Sequence, residues 1–207
     1  SVNKFYLFTI GSAAAPIGLN YHIIDMTLDN GLGGIINGNK NISLASSAFA
    51  NDILTGFRHS NGKDFWVVVR KSNNDYYASY LVTSSGVIST PVLSPARFTQ
   101  SGSTYRGLMK ISPNGKMLIC QFFTINSIGG SSDIEVCNFD NSTGKVTLSY
   151  ILKEPDYPSI ESIEISPDSK LLFAGLHKET SPGSPASLVE NQIFQYDLTV
   201  SDSSSFL

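Results

Sequence analysis

The chain has 207 residues, of which 15% are charged and 11% aromatic, with a formal net charge of −3 and a pI near 5.5. That balance leaves no basic stripe for counterion release, so nucleic acid is set aside as a partner. The longest apolar runs are strand-sized, so no segment is expected to span a membrane, and 31 serines suit an extracellular β-protein with many short turns.

From the N-terminus, Phe5 to Ile10 reads as a strand and Leu19 to Leu28 as the next. Gly31-Leu32-Gly33-Gly34 is a turn, and Ile35 to Leu44 an Asn-rich outer strand. Ile53 to His59, Phe65 to Arg70, Tyr76 to Val82 and Val87 to Leu93 make four more, with Thr83-Ser84-Ser85-Gly86 as the last turn. Arg106 to Ser112, Met117 to Thr124, Ile134 to Phe139 and Val146 to Leu152 make the next four. Ile160 to Ile165, Leu171 to Leu176 and Gln192 to Leu198 make three. No segment sustains a 3.6-residue period, which leaves an all-β chain.

One short stretch recurs. Ile111-Ser112-Pro113-Asn114-Gly115-Lys116 returns as Ile165-Ser166-Pro167-Asp168-Ser169-Lys170, each followed by an apolar run. A worn copy is His59-Ser60-Asn61-Gly62-Lys63, and a truncated one is Asn3-Lys4-Phe5-Tyr6-Leu7-Phe8. The shared lysines are 59, 53 and 54 residues apart. Proline presets φ for a turn, and Asn-Gly tolerates positive φ. A turn between two β-rich runs is a hairpin, and hairpins repeated at a period of roughly 50 residues read as stacked propeller blades. The expectation is one β-propeller array over 1–207 with four-stranded antiparallel blades near 1–47, 48–104, 105–158 and 159–207. The first and last blades are incomplete on this count. The motif is cut at the start and a serine run at the end, so the chain reads as an excerpt of a propeller of about six to eight blades. The alternative is a four-blade ring closed by strand exchange.

Catalytic constellations are sparse. His22, His59 and His177 have no partner at metal-ligand spacing, and His-Glu-x-x-His is absent. There is no Gly-x-Ser-x-Gly elbow and no twelve-residue calcium loop. Asp25, Asp29 and Asn30 read as turn caps, and Gly129-Gly130-Ser131-Ser132-Asp133 as a loop. No catalytic residue, metal or cofactor is expected. Cys120 and Cys137 fall on neighbouring antiparallel strands, which leaves open a cross-strand disulfide or two buried free thiols. Trp66 is read as structural.

Function is then expected at loops sharing one face of a rigid scaffold: Ala45 to Asp52, Lys71 to Asp75, Ser94 to Tyr105, Thr124 to Asp133, Lys153 to Ser159 and Lys178 to Glu190. Arg97, Tyr105, Arg106 and Tyr157 lie in or beside them, and Arg and Tyr are common interface anchors. His177 closes a strand beside the last loop and is the histidine to consider as a ligand contact.

The Ile-Ser-Pro-Asn-Gly-Lys and Ile-Ser-Pro-Asp-Ser-Lys copies resemble WD40-like and YVTN-type propeller repeats. His59-Ser60-Asn61-Gly62-Lys63-Asp64-Phe65-Trp66-Val67-Val68, Ile24-Asp25-Met26-Thr27-Leu28-Asp29-Asn30-Gly31-Leu32-Gly33 and Asn138-Phe139-Asp140-Asn141-Ser142-Thr143-Gly144 resemble blades of large secreted surface proteins of gliding bacteria. This gliding-motility-associated family is exported by the type IX route. The resemblance implies an extracellular, cell-surface location and a non-enzymatic binding or structural role, with a protein or glycan partner at the loop face. Two alternatives remain. One is a propeller enzyme of the lactonase kind, for which only Arg106, Glu161 and Asp52 stand near the channel mouth. The other is secretion cargo held by outer-membrane secretion or carrier proteins.

Overall fold

The repeated turn motif closes three hairpins in one way. In the first full copy, Gly115 N–H donates to Ser112 O (2.8 Å), Met117 N–H donates to Ser112 Oγ (2.9 Å), and Gly115 takes φ +69°. In the second, Ser169 N–H donates to Ser166 O (2.8 Å), Leu171 N–H to Ser166 Oγ (2.9 Å), and Ser169 takes φ +63°. The left-handed residue is thus the one before the lysine, not Asn114 or Asp168. In the worn copy, Gly62 N–H donates to His59 O (2.9 Å), Asn61 Oδ1 replaces the serine hydroxyl by accepting from Asp64 N–H (3.0 Å), and His59 Nδ1 accepts from Asn61 N–H (2.9 Å). Each turn sends an apolar strand back beside its predecessor.

The result is a computed structural model that describes residues 3–12, 15–45, 53–70, 76–96, 103–126, 129–154, 159–179 and 189–200. Sheet 1 holds β1 (Lys4–Ser12), β2 (Ala15–Asp25), β3 (Gly34–Ile35) and β4 (Ile42–Ala45), with β3 and β4 both pairing β2. Sheet 2 holds β5 (Leu54–Arg58), β6 (Phe65–Arg70), β7 (Tyr76–Thr83), β8 (Gly86–Val87) and β9 (Val92–Pro95), with β8 and β9 both pairing β7. Sheet 3 is β10 (Ser103–Ile111), β11 (Met117–Asn126), β12 (Gly129–Asp140) and β13 (Lys145–Glu154), in that order. Sheet 4 is β14 (Ser159–Ile165), β15 (Leu171–Glu179) and β16 (Val189–Asp197). Every pairing is antiparallel. The fold is all-β, four antiparallel sheets in chain order, and it is propeller-like.

Period-two alternation fixes what each face meets. In β6, Trp66 and Val68 join a core with Leu118, Cys120, Phe122, Cys137 and Phe139 of sheet 3, while Val69 turns the other way to Leu19 of sheet 1. In β11, Leu118 and Cys120 face sheet 2, while Ile119 joins Ile163, Leu172, Ala174 and Leu176 of sheet 4. Sheets 2 and 3 are therefore apolar on both faces.

Three expectations change. Ile35 to Leu44 is two short strands, because Asn37-Gly38-Asn39-Lys40-Asn41 turns between them, with Gly38 at φ +78° and Asn41 at φ +56°. Val87 to Leu93 likewise breaks into β8 and β9 around Ser89-Thr90-Pro91, where proline offers no N–H to the ladder. Thr124 to Asp133 is not a loop: β11 and β12 stay paired out to Asn126 opposite Gly129. The Val-, Ile- and aromatic-rich flank carries the hairpin outward past the glycines.

Candidate functional site

Of the residues expected at the loop face, Arg97 and Tyr157 lie outside the described residues, as does Asp52. Tyr105 and Arg106 stand in β10 at an irregularity between Thr104 and Arg106, and His177 pairs with Ser159 and Asn191 in β15. Glu161 is exposed in β14. His22 is buried and packed within sheet 1, with Nδ1 accepting from Asn41 N–H (3.2 Å) and Nε2 at 3.2 Å from Thr9 Oγ1. His59 is half-buried rather than exposed: its ring lies 5.4 Å from that of Trp66, and Nε2 is 3.2 Å from Ser142 O. Asp25 caps its turn, accepting from Thr27 N–H (2.9 Å) and Thr27 Oγ1–H (2.7 Å).

The disulfide is not formed; Cys120 and Cys137 are free and buried. Cys120 pairs with Glu135, and Cys137 with Leu118, so the thiols are diagonal neighbours. Such positions are about 7–8 Å apart, beyond the usual reach of a disulfide.

The cysteines flank a charge cluster that sequence reasoning missed. Arg70 ends β6 directly opposite Tyr77, and Glu135 projects from β12 on the face toward sheet 2. Arg70 Nη1 donates to Glu135 Oε2 (2.5 Å) and to Tyr77 Oη (3.2 Å), and Tyr77 O–H donates to the same carboxylate oxygen. The guanidinium carbon lies 4.6 Å from the Phe122 ring centre. The Arg70 and Glu135 side chains are 2% and 0% exposed. Burial opposes the charge on Arg70, but Cys120, Tyr77 and Glu135 outweigh it and hold its pKa above the ordinary arginine value. Burial first of all pushes the Tyr77 hydroxyl and both thiols up, so neither sulfur is a nucleophile near neutral pH. Arg70 Nη2 and Glu135 Oε1 are buried with no partner among the described residues. The cluster pins sheet 2 to sheet 3 and meets no solvent. A signal was present: Arg70 ends an apolar run, and Glu135 sits between Ile134 and Val136, and such charges are buried only when paired.

An open concavity lies one interface away, between sheets 1 and 2 at the end opposite the expected loop face. Tyr6, Trp66 and Met117 are equivalent positions, each pairing with the residue two before the end of the strand that follows its own: Ile23, Leu81 and Asn138. Between sheets 2 and 3 this position is filled. Trp66 Nε1–H donates to Asn141 O (2.9 Å), beneath the turn joining Asp140 to Lys145. A Cβ on Gly144 (φ +74°) would stand 2.7 Å from the indole, so only glycine fits there. Between sheets 1 and 2 the ring is a tyrosine. The matching turn is shorter by two residues, with Ser84-Ser85 between Thr83 and Gly86 against Asn141 to Gly144. A cleft of about 720 Å³ remains, lined by Lys4, Tyr6, Asn39, Lys63, Phe65 and Ser84 among others. Phe65 is 50% exposed. Neither lysine is in ion-pair contact with a carboxylate among the described residues. Asp64, also in the wall, accepts from Asn61 Nδ2–H (2.7 Å). The cleft offers two cations, two aromatic rings and a rim of hydroxyl and amide groups. Among the described residues no three His, Cys, Asp or Glu side chains group to hold a metal ion, and no helix is long and apolar enough to cross a membrane.

No family model matches the chain, and no curated protein does. Solved structures do. It is similar to the hydrazine synthase of Kuenenia stuttgartiensis (15% identity, TM-score 0.50), covering 93% of this chain and 48% of that one. It is also similar to a putative 6-phosphogluconolactonase from Bacteroides uniformis (12% identity, TM-score 0.48, 84% of this chain and 47% of that one). A third is Sqt1 from Chaetomium thermophilum (19% identity, TM-score 0.46, 96% and 41%). The chain spans about half the length of the first two structures and 41% of the third. At these identities the likeness is one of fold alone, and the fold is propeller-like.

Proposed function

We propose that the chain is a non-enzymatic binding or structural module of a secreted, cell-surface protein of the gliding-motility-associated kind. The observation that carries this reading is the cleft between sheets 1 and 2. It is open and amphipathic, and its walls bring two lysines, two aromatic rings and several hydroxyls together without a nucleophile–base pair. Such a lining holds a ligand by charge, stacking and hydrogen bonds. The buried cluster at Arg70 and Glu135 has the ionisable groups of an enzyme site but no access to a substrate. Export by the type IX route rests on the blade motifs around His59, Asp25 and Asp140.

The test takes the intact protein to a combined glycan and surface-protein binding array and, in parallel, to hydrolysis assays with lactones and esters. Saturable binding without turnover is expected. Lactone or ester hydrolysis that survives repurification and is lost on changing Arg106 or Glu161 would replace this reading with the enzymatic one. Tracking the protein in fractionated cells checks its location, and a cytoplasmic pool alone would overturn the surface assignment.

A further inference from the structure

We propose that the cleft between sheets 1 and 2 is the binding site for an acidic oligosaccharide of the uronic-acid type. This rests on the binding-module reading and names its ligand. The chain carries a net charge of −3, yet Lys4 and Lys63 meet at one cleft against one acidic wall residue, Asp64. Asp64 is already engaged by Asn61, and Asp25, which faces Lys4 across the β1–β2 ladder, is engaged by Thr27. Asp25 feels the Lys4 charge, but neither lysine is in ion-pair contact with a carboxylate among the described residues, so both ammonium groups can reach an anion brought from outside.

The wall chemistry narrows the anion. Phe65 shows half of its ring to solvent, and Tyr6 closes the floor within an aromatic cluster, 6.0 Å from Tyr21 and 6.5 Å from Phe8 between ring centres. Flat apolar faces beside fixed cations match a ligand with an apolar face and a carboxylate on its edge. Ser84, Ser85 and Asn39 line the rim and offer hydroxyl and amide groups that both donate and accept, while the Thr83 hydroxyl is engaged with Gly86 O and Ser85 N–H. A pyranose presents hydroxyls that do the same. An acidic peptide would call for an unpaired strand edge to receive its backbone. β6 is paired on both sides, with β5 and β7, while β1 is an edge strand paired with β2 alone, so an acidic peptide is kept in the test as the competing occupant. The hydroxyl and amide rim beside the two rings favours a uronate over a peptide.

Calorimetric titration of the full chain at low ionic strength tests the assignment with three probes: a tetrauronate, its carboxyl-reduced neutral counterpart and tetraglutamate. One-site binding of the tetrauronate is expected, with the neutral sugar about tenfold weaker. Lys4→Ala and Lys63→Ala should each weaken the tetrauronate about threefold, and added salt should do the same. Phe65→Ala should weaken it about tenfold through lost ring contact. Lys110→Ala, at the distant pair with Glu164, should leave affinity unchanged. All four side chains are on the surface, and circular dichroism confirms that each variant folds. Equal binding of the neutral sugar, or affinity indifferent to all three cleft variants, overturns the proposal. Tighter binding of tetraglutamate overturns it in favour of an acidic peptide. If the chain ignores tetrauronate but binds another ligand on the array, the ligand class fails and the binding-module reading stands. If nothing binds and a substrate turns over, both fail.

Discussion

Arg70 and Glu135 show what a buried ion pair does in this chain and what it costs. Two charges removed from water require good geometry and full hydrogen bonding to offset desolvation. Here Nη1 and Oε2 are satisfied, while Nη2 and Oε1 are not. The pair is a register device between sheets more than a source of stability. Truncating one partner strands the other, so Glu135→Leu or Arg70→Met should each destabilise by about 3–5 kcal/mol. The double change Arg70→Met with Glu135→Leu should recover most of that loss, because no charge is left in the core. Urea denaturation of the four proteins gives the coupling directly, and additive losses would mean that the two charges do not depend on each other. The neighbouring thiols give a second readout. Cys120 and Cys137 are wholly buried, and burial holds both in the protonated form. Neither should react with a thiol reagent at pH 8 until the chain unfolds, and both should then react in step with the loss of structure. Rapid labelling of the native protein would contradict the packing between sheets 2 and 3.

At the scale of the element, the repeated turn carries most of what the sequence made legible. Pro113, Asn114, Gly115 and Lys116 announce a hairpin by their own chemistry, and the copies at 53- and 54-residue spacing count the blades. What the motif did not disclose is the cross-blade contact made by Ser169. Its φ of +63° strains a residue with a side chain, yet its hydroxyl accepts from Asn114 N–H (3.1 Å) on the adjacent blade. Ser169→Ala keeps the strain and loses the bond, and should cost about 1 kcal/mol. Ser169→Gly loses the bond and relieves the strain, and should be close to neutral. Thermal melts rank the two against the parent: Ser169→Ala melting with the parent would show that the bond contributes nothing, and Ser169→Gly melting below Ser169→Ala that the strain does not matter. The turn carboxylates act in a related way. Hydrogen bonds from Ser142 and Thr143 hold Asp140 down to about 2, and those from Thr27, Ser166 and Thr199 lower Asp25, Asp168 and Asp197. A folded pKa below the unfolded value, about 3.9 for aspartate, adds stability at higher pH that is lost as pH falls toward the folded value. Denaturation midpoints should hold above pH 4 and fall between pH 4 and 2. Asp140→Asn should lie below the parent at pH 6 and converge on it near pH 2. A gap that stays constant would remove the carboxylate from the turn's stability.

Across the whole molecule, what sequence could not show is the cleft, because it is made by missing atoms. Periodicity reveals which residues face inward, but not that Tyr6 meets a turn two residues shorter than the one above Trp66. Blade geometry points instead to the loop face, where Tyr105, Arg106 and His177 stand at the other end of the strands and Arg97 and Tyr157 fall outside the described residues. The same stacking sets where the molecule is stiff. Sheets 2 and 3 are covered on both faces, and Val68, Val69, Ala78, Leu118, Ile119 and Cys120 are at 0% exposure. Sheet 1 shows Phe5 and Leu7 on its outward face, at 54% and 46%, and sheet 4 shows Ile193 at 80%. Local opening draws on the elements with the fewest buried contacts. Amide exchange should therefore be slowest in β6, β7, β11 and β12 and faster in β1 and β16. Occupancy of the cleft acts on one of these sheets alone, since its walls join β1 to the β5–β6 and β7–β8 turns. A ligand at a hundred times its Kd stabilises the closed state by about 2.7 kcal/mol, roughly a hundredfold in exchange rate. With tetrauronate bound, β1 should slow by up to that factor while β16 stays as it was, because sheet 4 opens without disturbing the cleft. Equal slowing in β1 and β16 would mean that the two sheets open only together with the whole chain. Slowing in β16 alone would move the binding site to the far side of the molecule.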